Sequence, residues 1–259
     1  MLLTLDIGNT EITVGLFRGP ALEARWRLTT NPGRTPDEWG SAVTEFFTGT
    51  GKSPDEVRAV CVASVSPSAT QAIVAGVART TGCQATEIDA RSPLPVRLDV
   101  DEPLTVGADR IVNALAAIEL YRADTIVVDF GTATSFDCIT GDGRFFGGVI
   151  MPGLRTAADQ LTQRTAKLPA TALLAPNRAI GRRTEECIQS GVLFGTAEAV
   201  DGLVRRIRAE WPGGARPMVV ATGGLAGVVA PLSATIERTD PDLTLRGLQL
   251  AAGHLGLRW

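Results

Sequence analysis

The apolar positions fall into short blocks separated by glycine and small polar residues. Leu2-Leu3-Thr4-Leu5-Asp6-Ile7 predicts a buried strand, Gly8-Asn9-Thr10 a turn, and Glu11-Ile12-Thr13-Val14-Gly15-Leu16-Phe17 a strand alternating between faces. Arg18-Gly19-Pro20 turns the chain again, and Leu22 to Leu28 completes a meander, buried at its first strand and edge-like at its last. Much later the same syntax returns. Thr125-Ile126-Val127-Val128-Asp129-Phe130 is followed by a Gly131-Thr132-Ala133 turn, a strand from Thr134 to Thr140, a Gly141-Asp142-Gly143-Arg144 turn and a strand from Phe145 to Ile150.

Asp6-x-Gly8 thus aligns with Asp129-x-Gly131, an offset of nearly half the 259 residues. Short-period solenoids recur every ~20–50 residues, so the pattern predicts one duplication and two similar half-domains, residues 1–115 and 116–259. Helices are predicted over Asp37 to Phe47 and Ser68 to Thr81, with a buried strand from Val57 to Val65 between them, ended by Pro67. In the second half, Thr184 to Arg208 reads as a long helix capped by Thr184, with Glu185 and Glu186 in its first turn. Pro217 to Ala221 reads as another buried strand, feeding Thr222-Gly223-Gly224 and a further helix. Strands alternating with helices predict an α/β architecture. The linker is the helix Ala108 to Arg122 plus Ala123-Asp124, and with no low-complexity tether the halves are expected to pack closely across a cleft.

Composition narrows the function. A chain of this length buries enough surface to fold without a disulfide or metal staple. A formal net charge of -3 and a pI near 5.3 give no positive field to attract nucleic acid or an anionic membrane. Cys61, Cys83, Cys138 and Cys187 lie far apart with no C-x-x-C pair, and read as buried reduced thiols. No run approaches the ~18–20 apolar residues of a membrane span, and the opening Met1 to Asp6 lacks the basic region of a signal peptide. A cytoplasmic protein with no nucleic acid and no membrane partner is expected.

A carboxylate ending a buried strand, followed by glycine and a small hydroxyl residue, suits a phosphate site. The glycine lets backbone N–H groups approach the anion, the hydroxyl donates to it, and the carboxylate can hold a neutralising cation. Asp6-Ile7-Gly8-Asn9-Thr10 and Asp129-Phe130-Gly131-Thr132-Ala133-Thr134 both have this form. Either alone could be an ordinary β-turn; two copies after apolar strands favour phosphate. Gly107-Ala108-Asp109-Arg110 opens a helical run. It reads either as a plain helix start, with Asp favoured by the dipole, or as a base taking a substrate hydroxyl proton beside an anion-steadying Arg.

These motifs, with Gly147-Gly148-Val149-Ile150-Met151-Pro152-Gly153, Gly181-Arg182-Arg183-Thr184, Gln189-Ser190-Gly191 and the ending Leu243-Thr244-Leu245-Arg246-Gly247-Leu248, occur in an order and spacing that resembles type III pantothenate kinases. The resemblance covers essentially the whole chain. It implies an α/β fold of duplicated ribonuclease-H-like half-domains, that of the acetate and sugar kinase, heat-shock chaperone and actin superfamily, with ATP in the cleft. It further implies magnesium with the nucleotide, a monovalent cation (potassium or ammonium) and a homodimer with a shared active site. By the resemblance, Asp6, Gly8, Asn9 and Thr10 would manage the ATP phosphates and magnesium, and Thr132, Gly223 and Gly224 would also face ATP. Asp109 would be the general base toward the primary hydroxyl of pantothenate, with Val100, Gly107 and Arg110 on the substrate. Asp129 would ligate the monovalent cation, and Thr184 would reach pantothenate across the dimer. Such roles suit phosphoryl transfer, in which catalysis is mostly positioning and charge neutralisation.

The chain departs from the family pattern at three places. Glu11 replaces the usual His after the first turn, adding a negative charge near a polyphosphate; Val100-Asp101-Glu102-Pro103 lacks the usual Tyr and Asn; and Arg183 stands where Asn is usual. The alternatives are therefore a same-fold kinase for a different small primary alcohol in a specialised pathway, or a non-catalytic regulatory or accessory relative.

Other signals carry less. Gly49-Thr50-Gly51-Lys52-Ser53 imitates the end of a P-loop, but Phe46 takes the place of the required Gly and Pro54 follows where a helix must start. His254 is the only histidine, so no Ser-His-Asp triad or His-rich metal cluster is expected. Gly191, Gly195 and Ala199 form a small-residue stripe that serves either packing within the chain or, as the resemblance favours, a dimer interface. Trp26, Trp39, Trp211 and Trp259 read as packing or surface anchors.

Overall fold

The computed structural model describes residues 1–259. The chain forms two compact units, Met1–Ala116 with Leu243–Trp259, and Ala117–Asp242.

In the first unit, β1 (Leu2–Ile7), β2 (Glu11–Arg18) and β3 (Ala21–Thr29) form the predicted antiparallel meander. Then come α1 (Pro36–Phe47), β4 (Ala59–Ser64), α2 (Pro67–Thr81), β5 (Ala85–Glu87), the short β6 (Arg97–Leu98) and α3 (Ala108–Tyr121). The sheet order is β3-β2-β1-β4-β5, with β1–β4 and β4–β5 parallel. The central place of β1 explains its apolar run: Leu2, Leu3, Leu5 and Ile7 are at most 1% exposed, each burial contributing about 1.5–3 kcal/mol. Leu3, Leu5, Ile7, Val60 and Val62 share one core with Trp39 and Val43 of α1 and Ile73 and Val77 of α2. A capping box starts α1, the Thr35 hydroxyl accepting from the Glu38 N–H while the Glu38 carboxylate accepts from the Thr35 N–H.

The second unit holds β7 (Thr125–Phe130), β8 (Ala133–Ile139), β9 (Arg144–Pro152), α4 (Leu154–Arg164), α5 (Thr184–Glu210), β10 (Met218–Thr222), α6 (Ala226–Val229) and β11 (Arg238–Thr239). Within this unit the strands run β11-β10-β7-β8-β9, antiparallel through β7, β8 and β9 and parallel through β7, β10 and β11. Each unit therefore orders its strands third-second-first-fourth-fifth, the same design twice. Ile126, Val128 and Phe130 pack with Ile188, Leu193, Val200 and Val204 of α5. The predicted cap of α5 differs: Arg183 takes the cap position with no side-chain cap, Thr184 is the first helical residue, and the Glu186 carboxylate accepts the Arg182 N–H at 2.8 Å.

α7 (Leu243–His254) corrects the predicted division at residues 115 and 116. The chain leaves the first unit within α3, after Ala116, and Leu243–Trp259 returns to it. The reason is an uncovered apolar face: Leu2, Phe17, Cys61 and Ala63 pack with Ile111, Val112 and Leu115 of α3 and with Leu245, Leu248, Ala251 and Ala252 of α7. The cysteines are all free, as predicted, but only Cys61 and Cys138 are buried; Cys187 is exposed. Burial pushes the Cys61 thiol up to about 12.

Candidate active site

Asp6 is half-buried near the end of β1. The turn after it is closed by the Gly8 N–H donating to the Glu11 carbonyl at 3.0 Å. Thr30, just past β3, clamps the same turn from the other side: its hydroxyl donates to the Gly8 carbonyl at 2.7 Å and its N–H to the Thr10 carbonyl at 2.9 Å. Asn9 and Thr10 stay exposed at the tip. A loop this firmly tied presents its backbone to a ligand without reordering, which is what anion binding by main-chain N–H groups needs.

The same end of the sheet holds Asp109. Val65, directly after β4, donates its N–H to the Ile7 carbonyl at 3.0 Å. Gly107 lies against Val65, and Asp109 folds back over it so closely that a Cβ on Gly107 would come 2.5 Å from Asp109 Oδ1 and 3.3 Å from Val65. The Asp6 turn and Asp109 are thus linked through Ile7, Val65 and Gly107. Burial pushes the Asp109 carboxyl above the usual carboxylate range, against the opposing pull of the Arg110 N–H, which donates to Oδ1 at 2.8 Å, and of the Arg110 charge. A carboxylate raised in this way is a stronger base than a free aspartate, which suits it to take a proton. Val100 stands in the irregular stretch before the 3-10 turn Pro103–Thr105, where the exposed Glu102 accepts the Thr105 hydroxyl through its carbonyl.

In the second unit, Asp129 lies near the end of β7 and the following turn is closed by the Gly131 N–H to the Ala133 carbonyl at 3.0 Å. The Thr132 carbonyl accepts from the Gly153 N–H at 3.2 Å and the Thr156 hydroxyl at 2.7 Å, so the Gly147 to Gly153 motif holds this turn in place. Gly223, after β10, has φ +89, and a Cβ there would strike the Asp129 carboxylate and come 2.7 Å from the Phe130 N. Only glycine fits. Gly224 is exposed beside it, and the Leu225 N–H donates to the Phe130 carbonyl at 3.3 Å.

The residues fit the implied cations. Thr222 pairs across from Asp129, so both side chains share one face, and its buried hydroxyl has no hydrogen-bond partner. A carboxylate and an orphaned hydroxyl on one face are the all-oxygen donors that hard cations take. No three His, Cys, Asp or Glu cluster as a ready-made metal cage.

Thr184 is exposed at the start of α5, with Arg183 paired to Glu185 at 3.2 Å. The P-loop imitation is a turn after α1 in which Lys52 pairs with Glu23 at 3.1 Å and Ser53 caps a 3-10 turn. Sequence reasoning missed Thr30 and Thr156, whose hydroxyls lock the two turns. Nothing short of the register could have found them. Glu11 is no bare charge either: Arg27 Nε donates to its Oε1 at 2.6 Å.

The family model described as type III pantothenate kinase matches residues 2–206. The chain belongs to that family. The type III pantothenate kinase of Thermomicrobium roseum is 46% identical over 251 residues, 97% of this chain and 96% of that one. That of Moorella thermoacetica is 42% identical over 252 residues, 96% and 98% of the two chains. Among solved structures, the activator of the 2-hydroxyisocaproyl-CoA dehydratase from Clostridium difficile, with bound ADPNP, matches with a TM-score of 0.57 at 14% identity, covering 98% of this chain and 93% of that one. At that identity the likeness speaks for the fold alone, the acetate and sugar kinase, chaperone and actin fold.

Proposed function

We propose that this member of the type III pantothenate kinase family transfers the γ-phosphoryl group of ATP to the primary hydroxyl of pantothenate, giving 4′-phosphopantothenate, the first step of coenzyme A synthesis. The observation that carries this reading is the kinship with named type III pantothenate kinases at up to 46% identity over 97% of the chain. The geometry of the first unit supports the chemistry: a clamped phosphate turn and a raised carboxyl at one sheet end.

In this reading Asp6 and the Gly8-Asn9-Thr10 turn hold the ATP phosphates, and Gly107, Arg110 and Val100 orient the acceptor. Asp109 accepts the proton of the acceptor hydroxyl as its oxygen forms a bond to the γ-phosphorus and the bond from that phosphorus to the β–γ bridging oxygen breaks, releasing ADP. The Asp109 proton then passes to solvent. Thr132, Gly223 and Gly224 take part in nucleotide binding, Asp6 holds magnesium and Asp129 the monovalent cation, potassium or ammonium. When bound, these ions neutralise the phosphate charge that builds during transfer.

The chain acts as a homodimer in which Thr184 serves the acceptor bound by a second copy. Gly191 and Gly195 support this, because both are exposed and a Cβ on either would meet nothing within 4 Å, which leaves that face open to a second copy. The setting is cytoplasmic, with no nucleic acid or membrane partner. The net charge of -3 supports this, and no helix is long and apolar enough to cross a membrane.

The test is a coupled assay of the purified protein with ATP, magnesium, potassium and pantothenate. ADP release that depends on pantothenate, and sedimentation at twice the 27.2 kDa chain mass, are expected. Turnover with another primary alcohol but none with pantothenate would reassign the acceptor, and no turnover with any alcohol would reject the kinase.

A further inference from the structure

Arg27 stands where no sequence motif directs attention, yet three observations place it at the phosphate turn. The first is register. Asp6 pairs with Thr13, and Thr13 with Arg27, so the three lie in one row across β1, β2 and β3. Side chains directly opposite one another in a sheet share a face, and two strand spacings of ~4.8 Å put the Cα atoms of Asp6 and Arg27 roughly 10 Å apart. Arg27 points to the Asp6 side of the sheet, because its neighbours Trp26 and Leu28 pack into the core on the other side with Leu5 and Ile7.

The second observation is the ion pair with Glu11. Arg27 Nε and Nη2 both reach Glu11 Oε1, at 2.6 and 2.5 Å, with the two side chains 47% and 43% exposed. A pair this exposed adds little to stability, typically ~0–1 kcal/mol. Its effect is on geometry: Glu11 grips one edge of the guanidinium and leaves the remaining N–H groups of the planar fork for another acceptor. Glu11 itself directly follows the Gly8-Asn9-Thr10 turn and closes it through its carbonyl.

The third is the clamp. Thr30, which ties down Gly8 and Thr10, lies three residues beyond Arg27 on the same stretch of chain. The strand carrying Arg27 therefore leads directly into the residue that fixes the turn.

We propose that Arg27, oriented by Glu11, binds the polyphosphate of the nucleotide at this turn, and that its charge offsets that of Glu11, which alone would repel the ligand. This rests on the kinase reading above. A guanidinium is suited to the task because its fork matches phosphate oxygens in pairs and stays charged at every working pH.

The test is calorimetric binding of magnesium ATP, tripolyphosphate and adenosine to the full-length protein and to Arg27→Ala, Arg27→Lys and Glu11→Gln, each first checked for an unchanged melting transition. Arg27→Ala is expected to weaken ATP and tripolyphosphate about tenfold or more while adenosine binds as before, since a charge-assisted contact to phosphate is lost and the nucleoside contacts are not. Arg27→Lys should recover part of the loss, keeping the charge without the fork. Glu11→Gln should weaken ATP by a smaller factor in the native background, where it frees Arg27 from its orienting partner, and should recover part of the loss once Arg27 is Ala, where it removes an unpaired negative charge. Equal ATP binding by the native protein and Arg27→Ala would overturn the inference and leave the kinase reading standing. A parallel loss of adenosine binding in Arg27→Ala would also overturn it, marking a structural role. Absence of ATP binding by the native protein would sink both.

Discussion

Asp109 ties its protonation to both activity and stability. Burial favours the neutral acid, so in the folded protein the carboxyl gives up its proton later than a free aspartate would. Catalysis in the proposed reaction needs the ionised form, and the acidic limb of kcat/KM should therefore lie above the ordinary aspartate range. Asp109→Asn is expected to lower kcat by about 10²–10⁴-fold, the usual value of a positioned base, with KM for ATP nearly unchanged and the acidic limb gone. Stability runs the other way. Below the ordinary aspartate range the buried acid is neutral in both states and costs nothing, whereas its ionisation weakens the fold as pH rises through the elevated native value. Asp109→Asn should then melt at or above the native temperature at neutral pH, with the gap narrowing as the pH is lowered. A variant with native kcat would remove the base assignment. Gly107-Ala108-Asp109-Arg110 could be read in the sequence as a helix start or a base, and only the resemblance favoured the base; the surroundings of Asp109 were not legible at all. Val65 comes beside Gly107, and the Asp6 turn beside both, only through the pairing of β1 with β4, and Arg27 joins the row of Asp6 through sheet register in the same way.

At the scale of elements, α5 does more than cover the sheet. Asp201 on its buried side accepts hydrogen bonds from the Ser233 and Thr235 hydroxyls, each at 2.6 Å, and from the Ala234 and Thr235 N–H groups at 2.8 and 3.0 Å. Burial works to raise this carboxyl, yet the four donors together outweigh it and hold the acid below the usual range. The loop so gathered joins α6 to β11, the last parallel strand of the second unit. Asp201→Ala strands those donors and should cost about 2–4 kcal/mol. That is roughly 5–15 °C in melting temperature for a chain of this size. A carboxyl held low contributes its stability above the ordinary aspartate range and loses it as pH falls through the lowered native value. Melting curves at neutral pH should therefore separate the two proteins clearly, while curves in strong acid converge; coincident curves at neutral pH would show that the loop needs no such anchor. The length of α5, like the runs of β1 and β7, could be read from spacing because each carries an uninterrupted burial pattern. β5 and β11 could not, since strands of so few residues leave no period to read, and α4 hides its short apolar face, Leu154 and Ala158, among polar residues.

For the whole molecule, the decisive feature is that the first unit is completed by the end of the chain. Order along the sequence assigned Leu243–Trp259 to the second half, because nothing in a linear pattern says which sheet face is still bare. The bare face belonged to the first unit. Leu245, Leu248, Ala251 and Ala252 of α7 are buried against Leu2, Phe17, Ile111 and Leu115, and Gly247 passes the Val112 carbonyl too closely for any side chain. Removing residues 243–259 would strip this cover from several large side chains, each worth about 1.5–3 kcal/mol when buried. The sum is comparable with the entire 5–15 kcal/mol that holds an ordinary domain together. The truncated chain should therefore lose the cooperative melting of the first unit and bind a hydrophobic dye such as ANS, even though no residue assigned to chemistry has been removed. Gly247→Leu, which keeps the helix but wedges it away from α3, should produce a milder form of the same defect. A truncation that melted like the native protein and bound no dye would mean that the core around Leu2 and Phe17 closes without α7. The Asp6 turn and Asp109 would then owe their common sheet end to α1, α2 and α3 alone.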